Sequence, residues 1–157
     1  MEKWNFKVKH NPDVIRENLE NSLGALNGFV FSIKNDGSNL TSFKIRKRLL
    51  YAWYIIYHNN VIVNGRISKA DSRNETDVHI SFRQHLLWKF VIFTHIFLGL
   101  GFVIAIISGN SNTAMYVLAA LTLAIGIFLW FRLQEKYEKN VGEYKVLISK
   151  TLGVNVN

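Results

Sequence analysis

The chain has 157 residues, a formal net charge of +8 and no cysteine. This length predicts one domain, or one small domain with an appendage. The absence of cysteine excludes disulfide scaffolds, thiolate metal sites and cysteine nucleophiles, and an apolar share of 49% excludes a disordered polymer.

A short amphipathic helix is predicted over residues 11–24. Asn11 can cap its first turn, Pro12 suits the first helical position, and Gly24 suits the exit. Apolar side chains recur at helical spacing, at Ile15, Leu19, Leu23 and Leu26. This stripe fits a helix packed on a sheet and also a helix lying on a membrane surface.

The next part of the chain changes to a period of two, which predicts β-strands. The predicted strands cover residues 29–34, 42–47, 49–58, 61–63 and 76–83. Gly65 is expected in or near a bend. Four or five antiparallel strands with one helix make residues 1–85 a small cytoplasmic α+β domain.

Two apolar segments follow, over residues 86–107 and 114–131. Residues 90–107 and 114–131 contain no Lys, Arg, Asp or Glu, and at about 1.5 Å per residue each can cross the hydrocarbon core of a bilayer. The polar residues 108–113 are long enough only to reverse the chain. Residues 86–132 are therefore predicted to form a transmembrane helical hairpin.

The distribution of basic residues orients this hairpin. Residues 1–85 carry 13 Lys and Arg, the loop carries none, and residues 132–157 carry 5. This asymmetry predicts a multi-pass protein of the bacterial inner membrane with both termini in the cytoplasm. The residues expected at the cytoplasmic membrane interface are Arg83, His85, Trp88, Lys89, Trp130 and Arg132.

An amphipathic helix and tail are predicted over residues 133–157. Apolar side chains recur there at helical spacing, at Leu133, Tyr137, Val141, Tyr144, Ile148 and Leu152. We expect the second apolar segment to continue into this helix without a break. The stripe should pack either on the sheet or on a copy of itself.

A spaced pattern of residues leads from the strands into the hairpin. Its positions are Phe43, Ile45, Lys47, Leu49, Tyr51, Gly65, Ile67, Thr76, Val78, Ile80, Phe82, Arg83 and His85. The pattern resembles that of a group of small, uncharacterised bacterial membrane proteins: F-x-I-x-R-x-I-x-Y, G-x-I, then T-x-I-x-V-x-M-R-x-H. The resemblance implies a sheet-containing cytoplasmic domain on a two-helix anchor, and no known activity.

Polar and small residues lie inside the apolar segments. Thr94, His95 and Thr122 are the polar ones; they can pack, or His95 can line a pore or relay a proton. Small residues are spaced by four: Gly101 with Ala105, Ala120 with Ala124, and Thr122 with Gly126. They allow close packing within the hairpin, and they also allow a homo-oligomer.

A basic cluster comprises Lys44, Arg46, Lys47 and Arg48. In a membrane protein, such a cluster favours anionic lipid headgroups as partners over nucleic acid. No catalytic motif, cofactor motif or metal-ligand set occurs, so we predict no enzymatic activity. We expect a structural or interaction module that binds an unknown protein partner; the alternative is a ligand-sensing effector whose hairpins oligomerise to perturb or permeabilise the membrane.

Overall fold

The chain folds as an α+β protein, as the sequence predicts. The computed structural model describes residues 1–26, 28–35, 40–47, 61–70, 75–109 and 112–154. The elements are β1 (Glu2–Val8), α1 (Pro12–Gly24), β2 (Phe29–Asn35), β3 (Leu40–Lys47), β4 (Val61–Lys69), β5 (Thr76–Gln84), α2 (Leu86–Ile107) and α3 (Thr113–Leu152).

The strands form one antiparallel sheet in the order β1-β5-β4-β3-β2. Alternate residues of each strand point to opposite faces, and the buried ones belong to a single face. The core side chains on that face are Val8, Phe43, Ile45, Val61, Val63, Ile67, Val78, Ile80 and Phe82. The period of two in the sequence therefore marks the core side of the sheet correctly.

Helix α1 covers part of this core face. Asn11 caps the helix, because its side-chain oxygen accepts a hydrogen bond from the Asp13 N–H at 3.3 Å. Ile15, Leu19 and Leu23 are fully buried, and α1 contacts β2 and β4. The helix thus packs on the sheet, which decides between the two placements that its sequence allows.

The end of α3 also packs on the sheet. The Tyr144 ring meets Phe29 of β2 edge-on, with centroids 6.0 Å apart, and Lys145 Nζ lies 2.6 Å from Glu2 Oε1 in β1. The described residues of Met1–Gln84 and Lys139–Asn157 form one compact unit. The part of the C-terminal stripe that belongs to this unit, from Val141 to Leu152, therefore packs on the sheet.

The second compact unit, His85–Glu138, consists of α2 and the first part of α3. Both helices are long and apolar enough to cross a membrane. The most apolar windows have mean hydropathies of 2.6 in α2 and 2.2 in α3, and 11% of the residues in each window are buried. As expected, α3 runs without a break from Thr113 to Leu152.

Two features of the sheet differ from the sequence-based expectation. Strand β1 was not predicted, although its apolar residues alternate; it pairs with β5 at the sheet edge, with Trp4 opposite Ile80. The prediction that Gly65 lies in or near a bend is wrong, because Gly65 lies in the middle of β4, opposite Phe43. The strand predicted over 49–58 lies outside the described residues.

Gly65 is needed because the ring of Phe43 occupies the space of a side chain. A Cβ atom added to Gly65 would overlap Phe43 ring atoms. Gly65→Ala should therefore lower the free energy of unfolding by about 2 kcal/mol. Thermal unfolding in detergent, followed by circular dichroism, measures the effect.

Gly142→Ala is the matched control for Gly65→Ala. Gly142 lies inside α3, and the space that a Cβ atom would occupy there is open, so this change should stabilise the protein by up to about 1 kcal/mol. Phe43→Leu should partly restore the Gly65→Ala variant. Equal stability of Gly65→Ala and the wild type would contradict the argument.

Candidate functional site

The face of the sheet opposite the core forms a polar concavity of about 800 Å³. We call this surface the basic face. Its polar residues are Lys3, Asn5, Ser32, Lys34, Ser42, Lys44, Asn64, Arg66, His79, Ser81 and Arg83. Each strand contributes to it through the positions that alternate with its core residues, so core packing also aims these polar side chains outward.

The strand register arranges these side chains in two rows across the sheet. One row reads Ser32, Lys44, Asn64, Ser81 and Lys3, and the other reads Lys34, Ser42, Arg66, His79 and Asn5. Neighbouring strands lie about 4.8 Å apart. Each row therefore intersperses cationic side chains with short polar ones along its length.

Short polar side chains of the basic face are held by local hydrogen bonds. His79 Nδ1–H donates to Asn5 Oδ1 at 3.0 Å, and Ser81 Oγ donates to the carbonyl oxygen of Asn64 at 3.3 Å. Ser42 Oγ donates to the carbonyl oxygen of Lys34 at 3.3 Å. These bonds join neighbouring strands, so they hold the short polar side chains at the bottom of the concavity in place.

The charge of the basic face is positive. The described residues that line it include no carboxylate, and no ion pair joins Lys3, Lys44, Arg66 or Arg83 to an acidic residue that the structure describes. All four of these side chains are exposed. A concave surface with clustered charge of one sign attracts ligands of the opposite sign.

The predicted basic cluster is only partly assembled on this face. Lys44 lines it, and Arg46 lies two positions further along β3 on the same side. Lys47 is the last residue of β3, and Arg48 lies outside the described residues. Consecutive strand positions belong to opposite faces, so adjacency in sequence did not identify the cluster.

The other cations of the basic face come from the other four strands. Lys3, Lys34 and Arg66 were not singled out by the sequence, and Arg83 was predicted at the membrane interface. In each strand, the alternation of polar with apolar residues could have indicated which side chains point away from the core. Combining the strands required the strand order, which only the fold provides.

The remaining residues predicted at the membrane interface lie at one end of the helix pair. His85 caps α2, because its Nδ1 accepts a hydrogen bond from the Leu87 N–H at 3.3 Å. Trp88 is buried, while Lys89 and Trp130 are exposed. Arg132 lies 3.9 Å from Glu135 Oε2 and 5.9 Å from the centre of the Phe128 ring.

The polar residues inside the apolar helices bond to their own helices. Thr94 Oγ1 donates to the carbonyl oxygen of Phe90 at 2.9 Å, and His95 Nδ1–H donates to that of Val91 at 2.8 Å. Thr122 Oγ1 donates to the carbonyl oxygen of Leu118 at 2.7 Å. No hydrogen bond joins His95 to Thr122 among the described residues.

Only some of the predicted small residues serve the contact between α2 and α3. A Cβ on Gly126 would lie 3.3 Å from His95 Cβ, so Gly126 is at the helix contact. A Cβ on Gly101 would meet no neighbouring side chain within 4 Å. Ala105 is half-buried, and Ala120 and Ala124 are exposed. The contact also uses Gly99, which the sequence had not singled out.

No known protein family, curated protein or solved structure matches the chain. Among the described residues, no group of three His, Cys, Asp or Glu could hold a metal ion. The described residues that carry the resemblance to small bacterial membrane proteins are mainly core residues, such as Phe43, Gly65 and Ile80. That resemblance therefore concerns mainly the core positions of the sheet, and it stays a prediction.

Close packing at Gly99 can be tested with a neighbouring glycine as the control. A Cβ on Gly99 would lie 2.6 Å from Leu123 Cγ, whereas the space beside Gly101 is open. Gly99→Val should therefore cost about 2 kcal/mol more than Gly101→Val. The measurement is the melting temperature in detergent. Equal melting temperatures of the two variants would contradict this packing.

Proposed function

We propose that the chain is an integral protein of the bacterial inner membrane, in which the α2–α3 hairpin anchors the α+β domain as a structural and interaction module. The outward apolar surface of the two helices carries this proposal. With 11% of each apolar window buried, the helices differ from the core helices of soluble proteins, which are mostly buried. Such large apolar patches mark contact with lipid or with a partner.

Chain connectivity supports a topology with both ends of the hairpin on one side. Only His85 separates β5 from α2, and the end of α3 packs on the same sheet. Both ends of the hairpin are therefore connected to the sheet domain. If both helices cross a bilayer, the chain enters the bilayer and returns on the same side, which is the side that holds this domain. The excess of Lys and Arg outside the hairpin supports the cytoplasm as that side.

The ends of the apolar segments also suit a membrane. Trp130 is 52% exposed, and Arg132 and Lys89 flank the apolar stretches near it. Indole rings and cations with long aliphatic stems are favoured at the headgroup level. The hydrogen bonds of Thr94 Oγ1 and His95 Nδ1 to carbonyl oxygens of their own helix give these two atoms partners without water.

A pair of lysine substitutions tests insertion. Phe97 and Leu86 are 70% and 77% exposed, so a soluble protein would tolerate lysine equally at both. In a membrane, Phe97→Lys places a charge at mid-span at a cost of about 3 kcal/mol, whereas Leu86→Lys lies at the interface. We expect only Phe97→Lys to be lost from the carbonate-resistant membrane fraction. Release of the wild-type chain by carbonate would refute insertion.

Introduced cysteines test the topology, because the chain contains no cysteine. Ser108→Cys lies in the loop between α2 and α3, and Lys139→Cys lies on the cytoplasmic part of α3 under this proposal. In intact inner-membrane vesicles of known orientation, a membrane-impermeant maleimide should label the two positions from opposite sides. Labelling of both from the same side would refute the hairpin topology.

A second candidate function is a ligand-sensing effector whose hairpins assemble and perturb the membrane. The exposure of Gly101, Ala120 and Ala124 favours it, because small residues left free by the hairpin can support close contact between chains. This candidate predicts an oligomeric mass in detergent that Ala120→Leu reduces, and depolarisation of expressing cells. A monomeric mass without depolarisation would reject it.

A further inference from the structure

We propose that the basic face binds a small molecule that carries two or more phosphate groups. This inference rests on the interaction module proposed above and names the ligand class for its sheet. The observations that carry it are the concave shape, the clustered cations and the short polar side chains between them.

The register divides the cations into two groups. In the first group, Lys34 and Arg66 lie directly opposite Ser42 on the neighbouring strands, and Lys44 follows Ser42 on the same side of β3. These neighbours are separated by Cα distances of about 5–7 Å. In the second group, Lys3 lies opposite Ser81, and Arg83 follows Ser81 along β5.

The first group is centred on β3 and the second on β5, so their centres lie two strands, or roughly 10 Å, apart. Long Lys and Arg side chains can lean inward from both groups. The spacing suits an anion whose phosphates occupy two positions, and it leaves a single small anion in contact with only one group.

The chemistry of the face suits phosphate in particular. Arg and Lys make charge-assisted hydrogen bonds to phosphate oxygens, and Arg can do so through two parallel bonds. The side chains of Asn64, Ser42 and Ser81 lie between the cations and offer neutral donors and acceptors for the rest of a ligand. The concavity of about 800 Å³ lies within the range of small-molecule sites.

Two larger anionic partners fit less well. A flat bilayer surface cannot reach the floor of a concavity, and none of the strand residues is among the exposed large apolar side chains. Single-stranded nucleic acid is usually held by aromatic stacking. The aromatic residues of the described strands, such as Trp4, Phe31 and Phe43, occupy the core-side positions instead.

The test uses the full chain in a neutral detergent, with inorganic triphosphate and ATP as probes in isothermal titration calorimetry. Both probes should bind at least about tenfold more tightly than inorganic phosphate, because they can engage both cation groups. Affinity should fall as salt rises, since screening weakens exposed charge interactions. Binding needs no insertion, so this result is independent of the carbonate test.

Arg66→Gln and Lys69→Gln form a matched pair. Both substitutions remove one positive charge from β4. Arg66 lies on the basic face, whereas Lys69 is one of the alternate strand positions that include the core residue Ile67. Arg66→Gln and Lys44→Gln should each weaken triphosphate binding about tenfold, while Lys69→Gln should leave it unchanged. Circular dichroism melting checks that all variants remain folded.

Several outcomes would overturn the proposal. The first is that neither triphosphate nor ATP binds at concentrations up to about 1 mM. The second is that Arg66→Gln and Lys69→Gln lose equal affinity for triphosphate. The third is that inorganic phosphate binds as tightly as triphosphate. Two further arms use the chain in neutral nanodiscs with a single-stranded oligonucleotide or phosphatidylglycerol vesicles. Tighter binding of either than of triphosphate would assign the basic face to that macromolecule or to the membrane.

Discussion

The structure depends on the burial of one face of a five-stranded sheet. A sheet with one apolar face needs a covering layer, and two segments far apart in sequence provide it. Helix α1 comes from between the first two strands, and the end of α3 comes from residues that follow the apolar helices. Because this cover lies on one side, the opposite face is left for polar side chains.

This division of the sheet explains why its surfaces differ so strongly. The same strands supply fully buried Ile45 and Val63 to the core and exposed Lys44 and Arg66 to the basic face. Each cation is therefore backed by a packed core, which limits the movement of the backbone beneath it. A rigid sheet of this kind is a suitable support for a preorganised anion site.

Local patterns in the sequence predicted most of the secondary structure. Alternation identified β5, the capping residues identified α1, and the helical stripe from Leu133 to Leu152 indicated that α3 continues beyond its apolar part. These features depend on residues close together in the chain, so periodicity and capping suffice to detect them. The missed strand β1 also alternates, through Trp4, Phe6 and Val8, but it is a half-buried edge strand whose role depends on pairing with β5.

The errors and omissions concern contacts between distant segments. Gly65 resembles a turn residue locally, and only the ring of Phe43 on the next strand explains a glycine inside β4. The basic face likewise draws its cations from all five strands. The cluster of adjacent basic residues in the sequence was a poor guide, because strand geometry sends consecutive side chains to opposite sides.

The packing of α3 on the sheet also bears on the order of events during synthesis. The strands leave the ribosome well before residues 139–152, which complete their hydrophobic core. Domains commonly fold from the N-terminus as they are made, but here the nascent sheet must wait, partly uncovered, until both apolar helices have been translated. A sheet with one uncovered apolar face is prone to aggregate during this interval, so the late packing of residues 139–152 sets how long the domain is vulnerable.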